Sequence, residues 1–231
     1  MVAQLLELAP CGFLEEEDAL VVYTYRAGLA DLRVRFGELE VAPVLPGWEG
    51  EWRRFHVPVV VGPLWIGPPW QKPAPGLAPV VIDPGRAFGT GAHETTRLCV
   101  ELLLELDRGS FLDVGCGSGV LAIAAARLGF APVFAFDIDE SAVDATRRNA
   151  TANGVDLDVK RADATSDPLP GADVAAANVT LHTVEALGAR IEAMHLIASG
   201  YLVADEPRLP RFRRTERRTG ERFAADLFVR E

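Results

Sequence analysis

At 231 residues the chain is long enough for one medium domain with a small appendage and a well-buried core. Its 49% apolar and 24% charged residues describe a globular chain, and no apolar run reaches the roughly 18 residues that a membrane span needs. The net charge of −10 argues against a general nucleic-acid binder, because such a protein needs a basic face to release counterions from phosphates.

The start, M-V-A-Q-L-L-E-L-A-P, lacks the basic and apolar stretches of a signal peptide, so a cytoplasmic protein with no membrane partner is expected. Residues 1–50 read as an α+β region: a short amphipathic helix over Val2–Ala9, a strand over Ala19–Arg26 and another over Leu39–Val44. Glu15–Asp18 reads as a solvated turn, and Trp48 and Trp52 fall at i, i+4 on a helical stretch. Residues 51–79 read as a Trp/Pro-rich linker with short strands at Val57–Val61 and Leu64–Ile66.

From residue 80 the pattern changes. A strand over Val80–Asp83 leads into the loop D-P-G-R-A-F-G-T-G-A-H-E-T-T, and a helix opens near Glu94. Strands over Phe111–Val114, Val133–Asp137, Asp156–Lys160, Val174–Ala177 and Tyr201–Ala204 then alternate with helices. This is the signature of a doubly wound, mostly parallel α/β sheet. Arg211–Arg218 and Phe223–Arg230 form an antiparallel hairpin on its edge. From Arg208 to Arg230 the chain carries eight arginines against Glu216, Glu221 and Asp226. This stretch reads as a solvated strand face, with a contact surface for an RNA-associated partner as the alternative.

The most informative stretch is F-L-D-V-G-C-G-S-G-V-L-A-I-A-A, Phe111–Ala125: strand, glycine turn, helix start. Open α/β sheets hold nucleotide-like ligands at such turns. Gly115, Gly117 and Gly119 are spaced G-x-G-x-G, unlike the G-x-G-x-x-G of dinucleotide sites, and the turn admits a ligand with no pyrophosphate. S-adenosyl-L-methionine, an adenosine with an amino-acid tail, is such a ligand. Asp137 lies 22 residues beyond Gly115 at the end of the next strand, where a carboxylate accepts from ribose hydroxyls while Asp139 caps the following helix.

Other residues fall around the same edge. Asp163 is either an acceptor for the adenine amine or an ordinary turn aspartate. Asn178 ends V-A-A-A-N, where its carbonyl can orient an incoming amine or cap a helix. Gly85, Gly89 and Gly91 with Phe88 and His93 have the composition of a lid. His93 is a candidate base, and Thr95 and Thr96 equally read as helix-start residues. Cys116 reads as a small apolar residue of the turn, with a reactive thiol as the alternative. Cys11, Cys99 and Cys116 make neither a disulfide framework nor a metal knuckle, and His56, His182 and His195 have no ligand spacing; no metal is expected.

The loop D-P-G-R-A-F-G-T-G-A-H-E-T-T, the turn D-V-G-C-G-S-G, and D-I-D, N-A-T-A-N-G-V and A-A-N-V together resemble the bacterial ribosomal protein L11 methyltransferases. The resemblance covers residues 48–205. It implies a seven-stranded methyltransferase sheet over 80–231 and a substrate-recognition region of ferredoxin-like type, here lacking its first strand, over 1–50. It also implies methyl transfer from S-adenosyl-L-methionine to lysine or N-terminal amines of ribosomal protein L11. By motif, cofactor contacts fall on Thr96, Gly115, Asp137 and Asn178, with Phe88, His93, Asp113, Gly117 and Asp163 around them. Asn178 is the expected catalytic residue, positioning the amine with no obligatory protein base. The alternatives are another protein lysine or a small amine as acceptor, an NAD-linked oxidoreductase, which the third-glycine spacing disfavours, and a non-catalytic cofactor-binding module.

Overall fold

The computed structural model describes residues 13–15, 20–22, 24, 28–43, 56–83, 91 and 93–231. The chain divides into two compact units, Met1–Arg53 and Arg54–Glu231. In the first, strand β1 (Phe13–Glu15) pairs antiparallel with β2 (Leu20–Val22), inside the strand predicted over Ala19–Arg26. A helix, α1 (Leu29–Phe36), follows where none was predicted; Leu32 is its buried contact and Gly37 ends it with a φ of 82°. The strand predicted over Leu39–Val44 is not formed at residues 39–43, where Pro43 removes a ladder donor. The predicted Val2–Ala9 helix and the Trp48/Trp52 pair lie outside the described residues.

The second unit opens with a small sheet in which β3 (Val59–Val61) pairs antiparallel with β4 (Leu64–Gly67), and β4 pairs parallel with β5 (Ala78–Val81). The span read as a linker is therefore largely folded. Leu64, Ile66 and Val80 are buried with side chains of the helices that follow.

Those helices are α2 (Glu94–Leu104), α3 (Val120–Leu128), α4 (Glu140–Asn153) and α5 (Leu181–Gly188). They alternate with strands β6 (Phe111–Val114), β7 (Val133–Asp137), β8 (Asp158–Arg161), β9 (Ala172–Asn178) and β10 (Ala193–Leu202). The hairpin β11 (Phe212–Thr219) and β12 (Phe223–Arg230) completes a seven-stranded sheet ordered β11-β12-β10-β9-β6-β7-β8. All pairs from β10 to β8 are parallel and the two involving β12 are antiparallel, as the alternation and the hairpin predicted.

One strand is displaced from its prediction. The strand read at Tyr201–Ala204 occupies Ala193–Leu202, because the run A-M-H-L-I-A-S pairs with β9 on one side and β12 on the other. Its register on β12 shifts between Ser199 and Tyr201, around Gly200.

Alternation along the strands sorts side chains onto the two faces. Phe111 of β6, Val133 and Ala135 of β7, and Val174 and Ala176 of β9 pack with α2 and α3. Leu112, Val114, Ala175 and Ala177 pack on the other face with Val184 and Leu187 of α5. Period two then places Asp113, Asp137 and Asn178 on the same face, toward α2, α3 and α4.

The C-terminal arginines are largely neutralised within the fold. Arg211 and Arg230 pair with Glu192, Arg214 and Arg217 with Glu206, and Arg218 with Glu105 and Glu216. Asp226, fully buried, lies 3.7 Å from Arg214 and 3.6 Å from Arg217. The arginine count thus overstates the positive surface that the hairpin offers a phosphate backbone.

Gly200 has a φ of 100°, and a Cβ there would stand 2.0 Å from the carbonyl oxygen of Val179, which is backbone and cannot swing aside. Gly200→Ala is expected to destabilise the fold by at least about 2 kcal/mol, from left-handed strain and that overlap. A urea-unfolding midpoint equal to wild type would contradict this account of the bulge.

Candidate functional site

The strand order reverses direction at β6: β7 and β8 follow on one side, β9 and β10 on the other. The carboxyl ends of β6 and β9 flank the crevice where open α/β sheets take their ligands. The glycine turn follows β6, and Asn178 ends β9.

All three glycines of the turn have positive φ: 76° at Gly115, 55° at Gly117 and 82° at Gly119. Side chains are also excluded by neighbours: a Cβ on Gly115 would lie 2.5 Å from Val179 Cγ1, and one on Gly119 would lie 2.7 Å from Thr146 Cγ2. Bare backbone is therefore what the turn presents.

Neighbouring elements hold that backbone. The amides of Gly115 and Cys116 both donate to the Phe136 carbonyl, at 2.8 and 3.0 Å. The Gly117 amide donates to Asp137 Oδ2 at 2.9 Å, and Asp137 Oδ1 accepts from the Asp139 amide at 3.0 Å. A carboxylate has about four acceptor positions, so Asp137 retains capacity for ligand hydroxyls. Thr146 Oγ1 donates toward the Gly117 carbonyl at 3.0 Å, and Asn149 Nδ2 donates to the Ser118 carbonyl at 2.9 Å.

Asn149 and Asn153, one helical turn apart on α4, also clamp the strand that enters the lid sequence. Asn149 Oδ1 accepts from the Asp83 amide at 3.0 Å, while Asn153 accepts from the Val81 amide at 2.8 Å and donates to its carbonyl at 2.6 Å. The run N-A-T-A-N is one of the motifs that carry the family resemblance. The available signal was two asparagines at i, i+4 in a helix interior, where their competing backbone hydrogen bonds are unfavourable without a tertiary purpose.

Asp113 is buried, and its Oδ2 accepts from the Ala122 amide at 3.0 Å. Gly119, the N-cap of α3, has no side chain to cap with, so a strand residue supplies the acceptor from below. Of the predicted set, Asp113 thus supports the turn rather than lining it. Cys116 is buried, and burial pushes its thiol far above the ordinary range, so a reactive thiolate has no support here.

Asp163 is half-buried just beyond β8, and its Oδ1 accepts from the Thr165 amide at 2.9 Å and the Thr165 hydroxyl at 2.6 Å. This is the local turn anticipated as one of its two readings. Asn178 does not cap α5, since Thr180 does so. Phe88 lies outside the described residues, as do most residues of the lid sequence.

The start of α2 completes the site. His93 is its N-cap, with Nδ1 accepting from the Thr95 amide at 3.3 Å and lying 2.7 Å from Thr95 Oγ1. Burial pushes the His93 imidazole below its ordinary value, against the charge of Glu94. Thr95 Oγ1 in turn accepts from Asn178 Nδ2 at 3.1 Å. At this helix start and the end of β9, Asn178 Oδ1 and Thr96 Oγ1 are buried and have no partner among the described residues. An orphaned buried acceptor costs on the order of 1–3 kcal/mol, and such a cost persists where a ligand supplies the missing partner.

Glu94 was not singled out by sequence reading, yet it ties this helix start to the hairpin. Its carboxylate accepts from the amides of Glu221, Arg222 and Phe223 in the turn between β11 and β12. Desolvation raises its proton affinity, but the three amides outweigh that and hold the carboxyl below its usual range. The Phe223 ring stands edge-on to His93, with centroids 5.0 Å apart.

The sequence profile of the family described as "Ribosomal protein L11 methyltransferase (PrmA)" matches residues 20–205, reaching further toward the N-terminus than the motifs alone. The chain belongs to that family. A ribosomal protein L11 methyltransferase of Yersinia pseudotuberculosis is 42% identical over 165 residues, 67% of this chain and 56% of that protein. One from Aliivibrio fischeri is 51% identical over 112 residues, 47% of this chain. The match spans only 38% of the length of that relative. Among solved structures, a ribosomal protein L11 methylase of Lactobacillus delbrueckii subsp. bulgaricus aligns with a TM-score of 0.65 and 28% identity, over 76% of this chain and 99% of that one. A tRNA (uracil-54, C5)-methyltransferase of Pyrococcus abyssi, solved with S-adenosyl-L-homocysteine, has a TM-score of 0.51 at 20% identity, over 62% of this chain and 40% of that one. The second likeness is one of fold alone. Both agree with the doubly wound sheet described above.

A pH-dependent signature follows from the buried aspartate beneath the glycine turn. Burial pushes the Asp113 carboxyl up to about 7; the Ala122 amide pulls it down and the charge of Asp137 adds to the rise. The folded chain then keeps a proton that the unfolded chain releases near 3.8, so this group's stabilisation is complete below that pH and is lost as pH rises through about 7. Asp113→Asn preserves an acceptor for Ala122 and removes the titration. Its thermal midpoint should rise relative to wild type between about pH 4 and about pH 8. A difference in midpoint that stays constant across that range would count against a protonated Asp113.

Proposed function

We propose that this chain is an S-adenosyl-L-methionine-dependent methyltransferase acting on amino groups of ribosomal protein L11. The observation that carries the reading is the buried carbonyl oxygen of Asn178, which has no partner among the described residues at the strand end beside the glycine turn. The substrate is supported by membership in the family and by the names of relatives from several bacteria.

The residues present fit the cofactor. Gly115 and Gly117 give close backbone approach, and Asp137 accepts from ribose hydroxyls with its remaining lone pairs. Thr96 Oγ1 is a buried hydroxyl in need of a partner at the same helix start. No phosphate is required by any of these groups. When bound, S-adenosyl-L-methionine supplies a methyl group activated by its sulfonium.

The chain's own contribution is positioning and exclusion of water. Asn178 Oδ1 accepts a hydrogen bond from the acceptor amine and so aims the nitrogen lone pair. A free lysine amine has a pKa of about 10.4 and must be neutral to react; a desolvated site lowers that value. His93 Nδ1 is engaged at the helix cap, in keeping with amine positioning and with proton loss to water. Residues 1–50 are assigned as the substrate-recognition region and 80–231 as the cofactor-binding catalytic domain.

With purified chain, labelled cofactor and purified ribosomal protein L11, the L11 band should be labelled and Asn178→Ala should lower turnover about a hundredfold, with cofactor affinity changed far less. Wild-type turnover in Asn178→Ala would sink the positioning role. An L11 mass identical in cells with and without the gene would remove L11 as the substrate.

A further inference from the structure

Thr95 links two groups that the sequence places 85 residues apart, His93 and Asn178. The direction of each hydrogen bond follows from one atom that can only donate. The Thr95 amide donates to His93 Nδ1, so Nδ1 presents its lone pair. The Thr95 hydroxyl, 2.7 Å from that lone pair, must then donate to it as well. With its proton committed, Thr95 Oγ1 has only lone pairs to offer, and Asn178 must meet it with the Nδ2 amide at 3.1 Å. The carbonyl oxygen of Asn178 is thereby turned away from α2. It is the atom left buried and unpartnered.

We infer that Thr95 is a positioning residue whose hydroxyl, donating to His93 and accepting from Asn178, sets the orientation of the Asn178 amide. The inference rests on the proposed role of Asn178 and adds what holds that side chain. An asparagine amide turned by 180° would place NH2 where the amine's own N–H must donate, so an unset rotamer is an inactive one. Strand β9 delivers the Asn178 Cβ to the site but leaves rotation of the amide open. The fixing contact has to come from another element, and α2 provides it. Its own anchorage comes from Glu94, which binds the hairpin amides, and from the Phe223 ring against His93.

The test compares Thr95→Val, Thr95→Ser, Asn178→Ala and the Thr95→Val/Asn178→Ala pair in the full chain. Readouts are methyl transfer to ribosomal protein L11, calorimetric binding of S-adenosyl-L-homocysteine, and the Asn178 side-chain amide signals in nitrogen-15 spectra without ligand. Thr95→Val should lower kcat by at least about tenfold with homocysteine-cofactor affinity within about threefold, Thr95→Ser should restore kcat to within about twofold, and the valine should cost nothing further once Asn178 is alanine. In the wild-type spectrum one Asn178 amide proton should be protected from solvent exchange, and Thr95→Val should lose that protection.

An unprotected Asn178 amide in the wild type overturns the inference without recourse to any variant. It is also overturned if Thr95→Val keeps kcat within about twofold while Asn178→Ala loses about a hundredfold, a result that leaves the role of Asn178 standing. Equal losses in Thr95→Ser and Thr95→Val would assign Thr95 to packing and overturn the hydroxyl's role. Wild-type turnover in Asn178→Ala would instead overturn the underlying role of Asn178.

Discussion

A turn made of three left-handed glycines cannot hold itself in place, and the surrounding architecture answers that constraint. Gly115, Gly117 and Gly119 offer no side chains, so beyond the Gly119–Cys116 backbone bond the fixing contacts come from elsewhere: the Phe136 carbonyl, the Asp137 carboxylate, the Thr146 hydroxyl and the Asn149 amide. Glycine loses more conformational freedom on folding than any other residue, so these contacts must offset an unusually large entropy cost. Close ligand approach and a costly backbone are two consequences of the same missing Cβ.

The same logic runs outward through the fold. Asp113 caps α3 because Gly119 cannot. Asn149 and Asn153 spend helix propensity on α4 to join the turn to the end of β5, so the lid sequence departs from a fixed point. Glu94 fastens the hairpin to α2, and α2 carries the residues that meet Asn178. The small β3–β5 sheet belongs to this support as well, through Leu64, Ile66 and Val80 in the shared core.

This arrangement suits the methyl transfer proposed above, in which the donor would arrive already activated. The work left to the protein is alignment, and alignment requires side chains held by second contacts rather than groups of extreme reactivity. Cys116, read as a small apolar residue of the turn, is a buried thiol, and His93, the candidate base, is a helix cap. The atoms that stand ready are a carbonyl oxygen on Asn178 and a hydroxyl on Thr96, both plain hydrogen-bonding groups.

Much of this was legible in the chain. Glycine spacing, the acid 22 residues later and the alternation of apolar runs determined the sheet, the turn and the place of Asp137 at the end of the next strand, since all three depend on local period and local conformation. The family followed from motifs of the same local kind. Helix α1 and the true start of β10 were missed: the first is a short amphipathic stretch, and the second depends on pairing with β9 and β12, which no local pattern records. Only the tertiary structure decided that Asp113 is a cap, that Asp163 closes its own turn, and that Thr95 rather than Thr96 is the shared hydrogen-bonding partner of His93 and Asn178. Those roles turn on the direction of single polar atoms between elements up to 83 residues apart, and a sequence specifies such directions only through the packing of everything between them.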